Sequence, residues 1–513
     1  MRRGVGELRF AVVLALLAVV GLAACTSRPL KPANPVVKPI AADKTAELAA
    51  EQQQLRLVIT SHSKDFGNNL ATLHDLIAAP AFGSLSVDDQ YEALLLAARK
   101  STFLKQHELA NEYIARAVAL PGLGFEDQAA ALGTAREIGN WAVAVRCLTS
   151  IANQWPERLG NIDSRTVTQV VYGANYLPRN DKFLMLQALY AAHWTLKWGI
   201  EPSSNWRDLT ILLLERHSLQ EAIDVSAHVM QVYVLVAMRA DRRFDAVVSA
   251  RPAQFDVEVA ADRQLKTFQA LSDEHPKSLA LKTRVMEALL HEQHYAAMLA
   301  ASDSVMQDIA TTNFPAKLFD DYVEEHDTNL YLRSVALQRE ERPDEAVAQL
   351  VEASQEGDIS QLINLASLYC ALDRPKDALT VIGPIGPTRT SGYGAMRVEV
   401  VRLRAAVQLG DRAQVSRSLA YLGVHRSDAP RAYLYALVVA KQTDQAARYL
   451  ITELEDEDLR QGVLLDIQEY LPTPGTKTEL EIEAQWRLVI ARRDVQAAIH
   501  KVGRVESYHL EAP

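Results

Sequence analysis

Cysteine is almost missing from this chain: three residues in 513, at positions 25, 147 and 370. A disulfide framework therefore cannot be what holds the fold together. Cys147 and Cys370 stand 223 residues apart in alanine- and leucine-rich sequence, where a lone thiol packs as a small hydrophobe. Long apolar runs are missing as well. Phe10 to Leu22 has 13 uncharged residues and Gln231 to Met238 only eight, against the ~20 needed to span a bilayer. Positive charge is in deficit, with 54 Lys+Arg against 64 Asp+Glu, a net −10 and a pI near 5.8. That balance argues against nucleic acid or an anionic lipid surface as the main partner. No GxSxG, Walker or GxGxxG pattern occurs, so none of the usual nucleophile or phosphate loops is present.

What remains is helix-forming sequence. Past residue 44, alanine and leucine dominate, glycine is scarce and apolar residues recur at spacings of three and four. Two short stretches mark turns between helices, Glu341-Arg-Pro-Asp-Glu-Ala346 and Asp373-Arg-Pro-Lys-Asp-Ala378, 32 residues apart. Proline suits the first helical turn because its missing N–H has no partner there anyway, and the acids that follow complement the helix dipole. The alanine lets two helices approach closely. Looser copies start at Lys105, Gly139, Gln293 and Lys441.

These units resemble the tetratricopeptide repeat, a two-helix unit of about 34 residues. Leu362, Leu365, Ala366, Tyr369, Ala378 and Ile382 carry the small and large packing residues of that family. Leu94, Ala97, Ala98, Ala110, Ile114 and Ala117 repeat them, and Pro156 follows Ala144 by 12 residues. The resemblance implies an all-α solenoid of degenerate repeats over 45–513, clearest at about 87–120 and 328–385, and a protein as partner. On a solenoid each repeat touches its neighbours, so Cys147 and Cys370 are expected to be far apart and free. The glycine- and proline-rich stretch Ile382 to Met396 reads as a surface loop between repeats.

The N-terminus has its own logic. Arg2, Arg3 and Arg9 precede the short apolar run, the order of a secretory signal. Leu22-Ala23-Ala24-Cys25 resembles the bacterial lipobox at all four positions. The resemblance implies cleavage of residues 1–24, diacylglycerol on the Cys25 thiol and acylation of the new amine. Loss of that leader takes the net charge from −10 to −12. Thr26, where aspartate would favour inner-membrane retention, implies the periplasmic side of the outer membrane. Residues 25–44, with Pro29, Pro32, Pro35 and Pro39, read as an extended tether.

Chemistry-bearing clusters are few. Leu186, Tyr190, Trp194 and Trp198 step by four in a region, Trp155 to Trp206, that holds four of the six tryptophans. Read as one helix, they form a stripe, and Tyr190, Trp194 and Trp198 are the candidate partner-binding residues, since such side chains dominate interface hot spots; core packing is the other reading. His193 reads as a core residue. His291-Glu-Gln-His294 lacks the HExxH spacing of a zinc helix and reads as a polar helix end, and the acidic run Glu453 to Asp458 has two readings, a site that attracts a cation and an exposed helix end. No catalytic residue, metal or cofactor is indicated. The expected function is a non-enzymatic, outer-membrane-anchored scaffold binding proteins in envelope assembly, secretion or export. The alternatives are a peptide- or glycan-binding carrier, or an accessory factor of a cell-wall enzyme.

Overall fold

The computed structural model describes residues 66–513 apart from 81, 313, 356, 387–389 and 391, together with a few positions between 49 and 57. The expected signal sequence (1–24), Cys25 and the expected tether lie outside the described residues. The architecture is all-α, a solenoid of helical hairpins; among the described residues β-structure is limited to two isolated bridges. No described helix is long and apolar enough to cross a membrane.

Eight hairpins share one turn. In chain order their helices are Val87–Phe103 with His107–Ala117, Phe125–Ile138 with Trp141–Gln154, Ser203–Glu215 with Leu219–Ser226, and Leu279–His291 with Tyr295–Ala310. Then come Tyr322–Arg339 with Pro343–Ala353, Ile359–Ala371 with Pro375–Ile382, Gly392–Leu409 with Arg412–Val424, and Pro430–Val439 with Thr443–Glu455. Each first helix ends on a left-handed residue: Lys105, Gly139, His217, Gln293, Glu341, Asp373, Gly410 or Lys441. The residue after it donates its N–H back across the turn, as from Gln106 to Ser101 C=O, Arg342 to Leu337 C=O and Arg374 to Tyr369 C=O, each 2.8 Å. That bond satisfies a carbonyl orphaned by the helix end. Five residues past the left-handed position stands a small side chain with no exposed surface in six of the eight: Ala110, Ala144, Ala222, Ala346, Ala378 and Ala446. The expected turns are all present. Pro343 and Pro375 occupy the first helical turn.

Two expectations need correction. The loop expected over Ile382 to Met396 is shorter, because Gly392 opens a helix and Met396 is already buried; four glycines and two prolines in this stretch masked a helix start. Repeats also do not touch only their neighbours. Helix Val232–Ala240 packs against helix Arg460–Asp466, and the segment after Val502 runs back across the middle of the chain. Arg504 N–H donates to Ala240 C=O at 2.9 Å and Glu511 N–H to His291 C=O at 2.8 Å. The array thus closes on itself between residues 232 and 511. Cys147 and Cys370 remain free and buried. Burial pushes the Cys147 thiol up to about 12 and raises that of Cys370.

Candidate functional site

The structure takes the expected aromatic stripe apart. Helix Arg179–Ala191 stops short of Trp194. His193 adopts a left-handed φ of 53°, and Trp194 N–H donates to Leu189 C=O at 3.0 Å, the same closing bond as in the hairpins. A four-residue step marks one face only while the helix continues, and here it ends after Tyr190. Tyr190 is half-buried, its ring edge-on to Trp206 and to His228, both at 5.4 Å. Burial first, then the Asp224 and Glu201 carboxylates, raise its hydroxyl. Trp194 is 5% exposed and belongs to the core. Trp198 sits in the short turn Lys197–Gly199 with a φ of 61°, half-buried, the Lys197 ammonium 4.3 Å from its ring centre. His193 is exposed on the turn instead of packed in the core.

The open aromatic surface of this region is carried by other residues. On helix Ser164–Gly173 and the turn after it, Tyr172 and Tyr176 are 62% and 68% exposed. Their rings meet edge to face at 5.9 Å and their hydroxyls lie 3.1 Å apart. That hydrogen bond is the main cause of a raised Tyr176 hydroxyl. Tyr172 borders an open groove of about 1030 Å³ with Trp141, Arg165 and Gln169. The groove is shaped by Gly173: a Cβ there would stand 2.2 Å from the Trp141 ring. Arg136 is held on one wall by Thr166 and Gln169, at 3.2 and 3.3 Å, while the exposed Arg165 has no ion-pair partner among the described residues. Aromatic surface beside a free guanidinium is the chemistry of a protein-binding hot spot. The tyrosines were visible in the sequence. Their exposure was not, because Tyr172 and Tyr176 stand four apart like any core pair.

The remaining candidates resolve individually. His291 ends its helix, its ring edge-on to Tyr233 at 4.7 Å, and burial holds its pKa below the usual histidine value. His294 lies in the following turn, 3.6 Å from Glu292. Among the described residues no group of three or more His, Cys, Asp or Glu is placed to hold a metal ion. The acidic run is split. Glu457 is exposed and pairs with Arg179 at 3.2 Å, which also holds Glu215. Glu453 is not exposed, as the run suggested, but buried at 1% exposure, because helix Thr443–Glu455 turns that face into the core. Burial pushes its carboxyl up to about 7, outweighing the Arg431 guanidinium and the Tyr449 hydroxyl, which both favour the charged form.

No protein-family model and no curated protein matches the sequence. Among solved structures the chain is similar to Naa15/Naa10 bound to HypK-THB, at 11% identity and TM-score 0.26 over 89% of this chain and 87% of that one. It is similar to the P58(IPK) TPR domain at 9% and 0.19, over 78% and 99% of the two chains. It is similar to the APC/C hetero-tetramer Cut9–Hcn1 at 10% and 0.25, over 90% of each. Likenesses this distant say nothing about partners, and the TPR-like assignment stands on the chain's own repeated hairpins.

Proposed function

We propose that this protein is a non-enzymatic scaffold, lipid-anchored through Cys25 on the periplasmic side of the outer membrane, which holds a protein partner during envelope assembly, secretion or export. A TPR-like array is consistent with protein–protein interaction, and the observation that carries the reading is the exposed Tyr172–Tyr176 pair beside the open groove at Trp141. Of the aromatics expected to bind, Tyr190 and Trp198 keep some exposed surface, so Trp198→Ala belongs in the same test. The anchor reading is supported by the lipobox-like run ahead of Cys25 and the proline-rich tether after it.

The test has two arms. A photo-crosslinker placed at 172 or 176 in living cells should capture one defined protein, and the same crosslinker at the exposed Leu219 should not. Tyr172→Ala should weaken that capture by about fivefold or more, the loss of a hot-spot aromatic. Equal capture from both positions refutes the groove. For the anchor, Cys25→Ser should leave the protein unprocessed or in the soluble fraction; unchanged outer-membrane sedimentation refutes it.

A further inference from the structure

The C-terminal part of the fold contains a groove of about 800 Å³ that no sequence motif marked. One wall is helix Lys477–Ile490, in which only Val489 is buried; Leu480, 51% exposed, Trp486 and Ile490 give this wall its apolar surface. The other wall is the extended segment from Glu469 to Thr473, which follows a turn at Ile467 and Gln468. Along one edge that segment pairs with the returning chain. Glu469 N–H donates to Glu506 C=O at 3.0 Å, Tyr508 N–H to Glu469 C=O at 2.8 Å, and Leu471 N–H to Leu510 C=O at 2.9 Å.

Successive residues of an extended chain aim their backbone groups at opposite edges. The N–H and C=O of Tyr470 therefore face away from this ladder, and neither is bonded to another described residue. The Tyr470 ring is packed near Tyr233 and Tyr508, at 6.3 and 6.2 Å, and its hydroxyl donates to Leu465 C=O at 2.8 Å. With the ring so occupied, what Tyr470 presents to the groove is its backbone, a short unpaired strand edge. The groove's charge is one-sided too. Arg339 is held by Glu511 and Arg487 by Glu483, whereas the groove carboxylates Glu469 and Glu479 have no cation partner among the described residues.

We propose that this groove takes an extended, basic peptide segment of a partner protein. The segment adds to the ladder at Tyr470, sets an apolar side chain against Leu480, Trp486 and Ile490, and brings lysine or arginine to Glu469 and Glu479. Backbone pairing supplies the affinity of such strand addition, and side chains supply the selectivity. The proposal is independent of the groove at Trp141.

The probe is a blocked, fluorescein-labelled peptide of alternating lysine and valine, titrated with the full chain in detergent and read by anisotropy. Two controls replace lysine by glutamate, or N-methylate every second amide. We expect the basic peptide to bind and each control to bind about tenfold or more weakly, since N-methylation removes backbone donors and adds a clash. Glu469→Lys, at an exposed position, should weaken the basic peptide by a similar factor. Equal binding of all three peptides, or no anisotropy change with the basic one, overturns the proposal without reliance on any variant. Self-association of the chain that the peptide does not displace assigns the groove to a second copy and also overturns it.

Discussion

Glu511 is where the closure of the array is most open to experiment. Its carboxylate is 5% exposed, and it accepts from Tyr295 hydroxyl at 2.9 Å and from Arg339 Nε at 2.8 Å. Its backbone C=O accepts from Tyr233 hydroxyl at 2.6 Å. Burial first, and then this carboxylate, raise the hydroxyls of Tyr233 and Tyr295, which therefore stay protonated donors at every physiological pH. Glu511→Ala removes an acceptor of one charged and one neutral bond and leaves the largely buried Arg339 without its counter-ion. Removing one partner of a buried pair costs ~3–5 kcal/mol. Arg339 keeps a 3.2 Å bond to Pro474 C=O, which places the expected loss at the lower end, about 3 kcal/mol. Glu511→Gln retains an acceptor for the guanidinium and should cost less than half of that. Urea unfolding measures the totals, and hydrogen exchange locates them: amides of 504–511 should exchange faster in Glu511→Ala, while hairpins before residue 200 stay protected. Wild-type exchange in that segment, with an unchanged urea midpoint, would falsify the view that this carboxylate holds the closure.

Three further outcomes follow from the same structure. Glu453, raised by burial to about 7 from an unfolded value near 4.5, favours its protonated form when folded. Its stabilising contribution is complete below about pH 4.5 and is lost as pH rises through 7, so Glu453→Gln should match wild type at pH 4 and exceed it by about 2–3 kcal/mol at pH 8; a constant difference across that range sinks the assignment. The left-handed turn residues Glu341, Asp373 and Lys441 each bear a Cβ strain of ~1–2 kcal/mol that glycine lacks, offset by glycine's ~0.5–1 kcal/mol entropic cost. Each glycine substitution should therefore raise the urea midpoint slightly, and a lowered midpoint at all three would contradict the turn geometry. Ala378, with no exposed surface between its two helices, should lose about 1–3 kcal/mol on Ala378→Leu, checked by thermal unfolding; a neutral result would mean the helices are not in close contact there.

The hairpins were legible where local chemistry carried them. Pro343 and Pro375 announce a first helical turn, and the buried alanine follows at fixed distance. The turn at His217 was missed although Ser218-Leu-Gln-Glu-Ala222 places the same buried alanine five residues past its left-handed residue as the copies at Lys105 and Lys441 do. The stripe through Trp194 and Trp198 was misread because apolar spacing persists in sequence beyond the point where the backbone has turned. Glu453 carried no signal of burial, since it belongs to an acidic run whose members from Glu455 to Asp458 are all exposed. The closure left no trace at all: Tyr233 and Glu511 are 278 positions apart, and no periodicity relates residues at that distance.

That closure changes the order in which the molecule can be made and unmade. In an open solenoid, folding can begin at any hairpin and spread to its neighbours, and either end can fray. Here Tyr233, Tyr295 and Arg339, from three different helices, all wait for one residue that leaves the ribosome after the helices it clasps. The stretch from Val232 onward behaves as a single cooperative body, completed late and bearing the entropy of a long loop closure. Unravelling then starts most naturally at the hairpins farthest from that clasp, the one over 87–117 first, while the Arg179–Glu457 pair ties the chain just before Val232 to the C-terminal part.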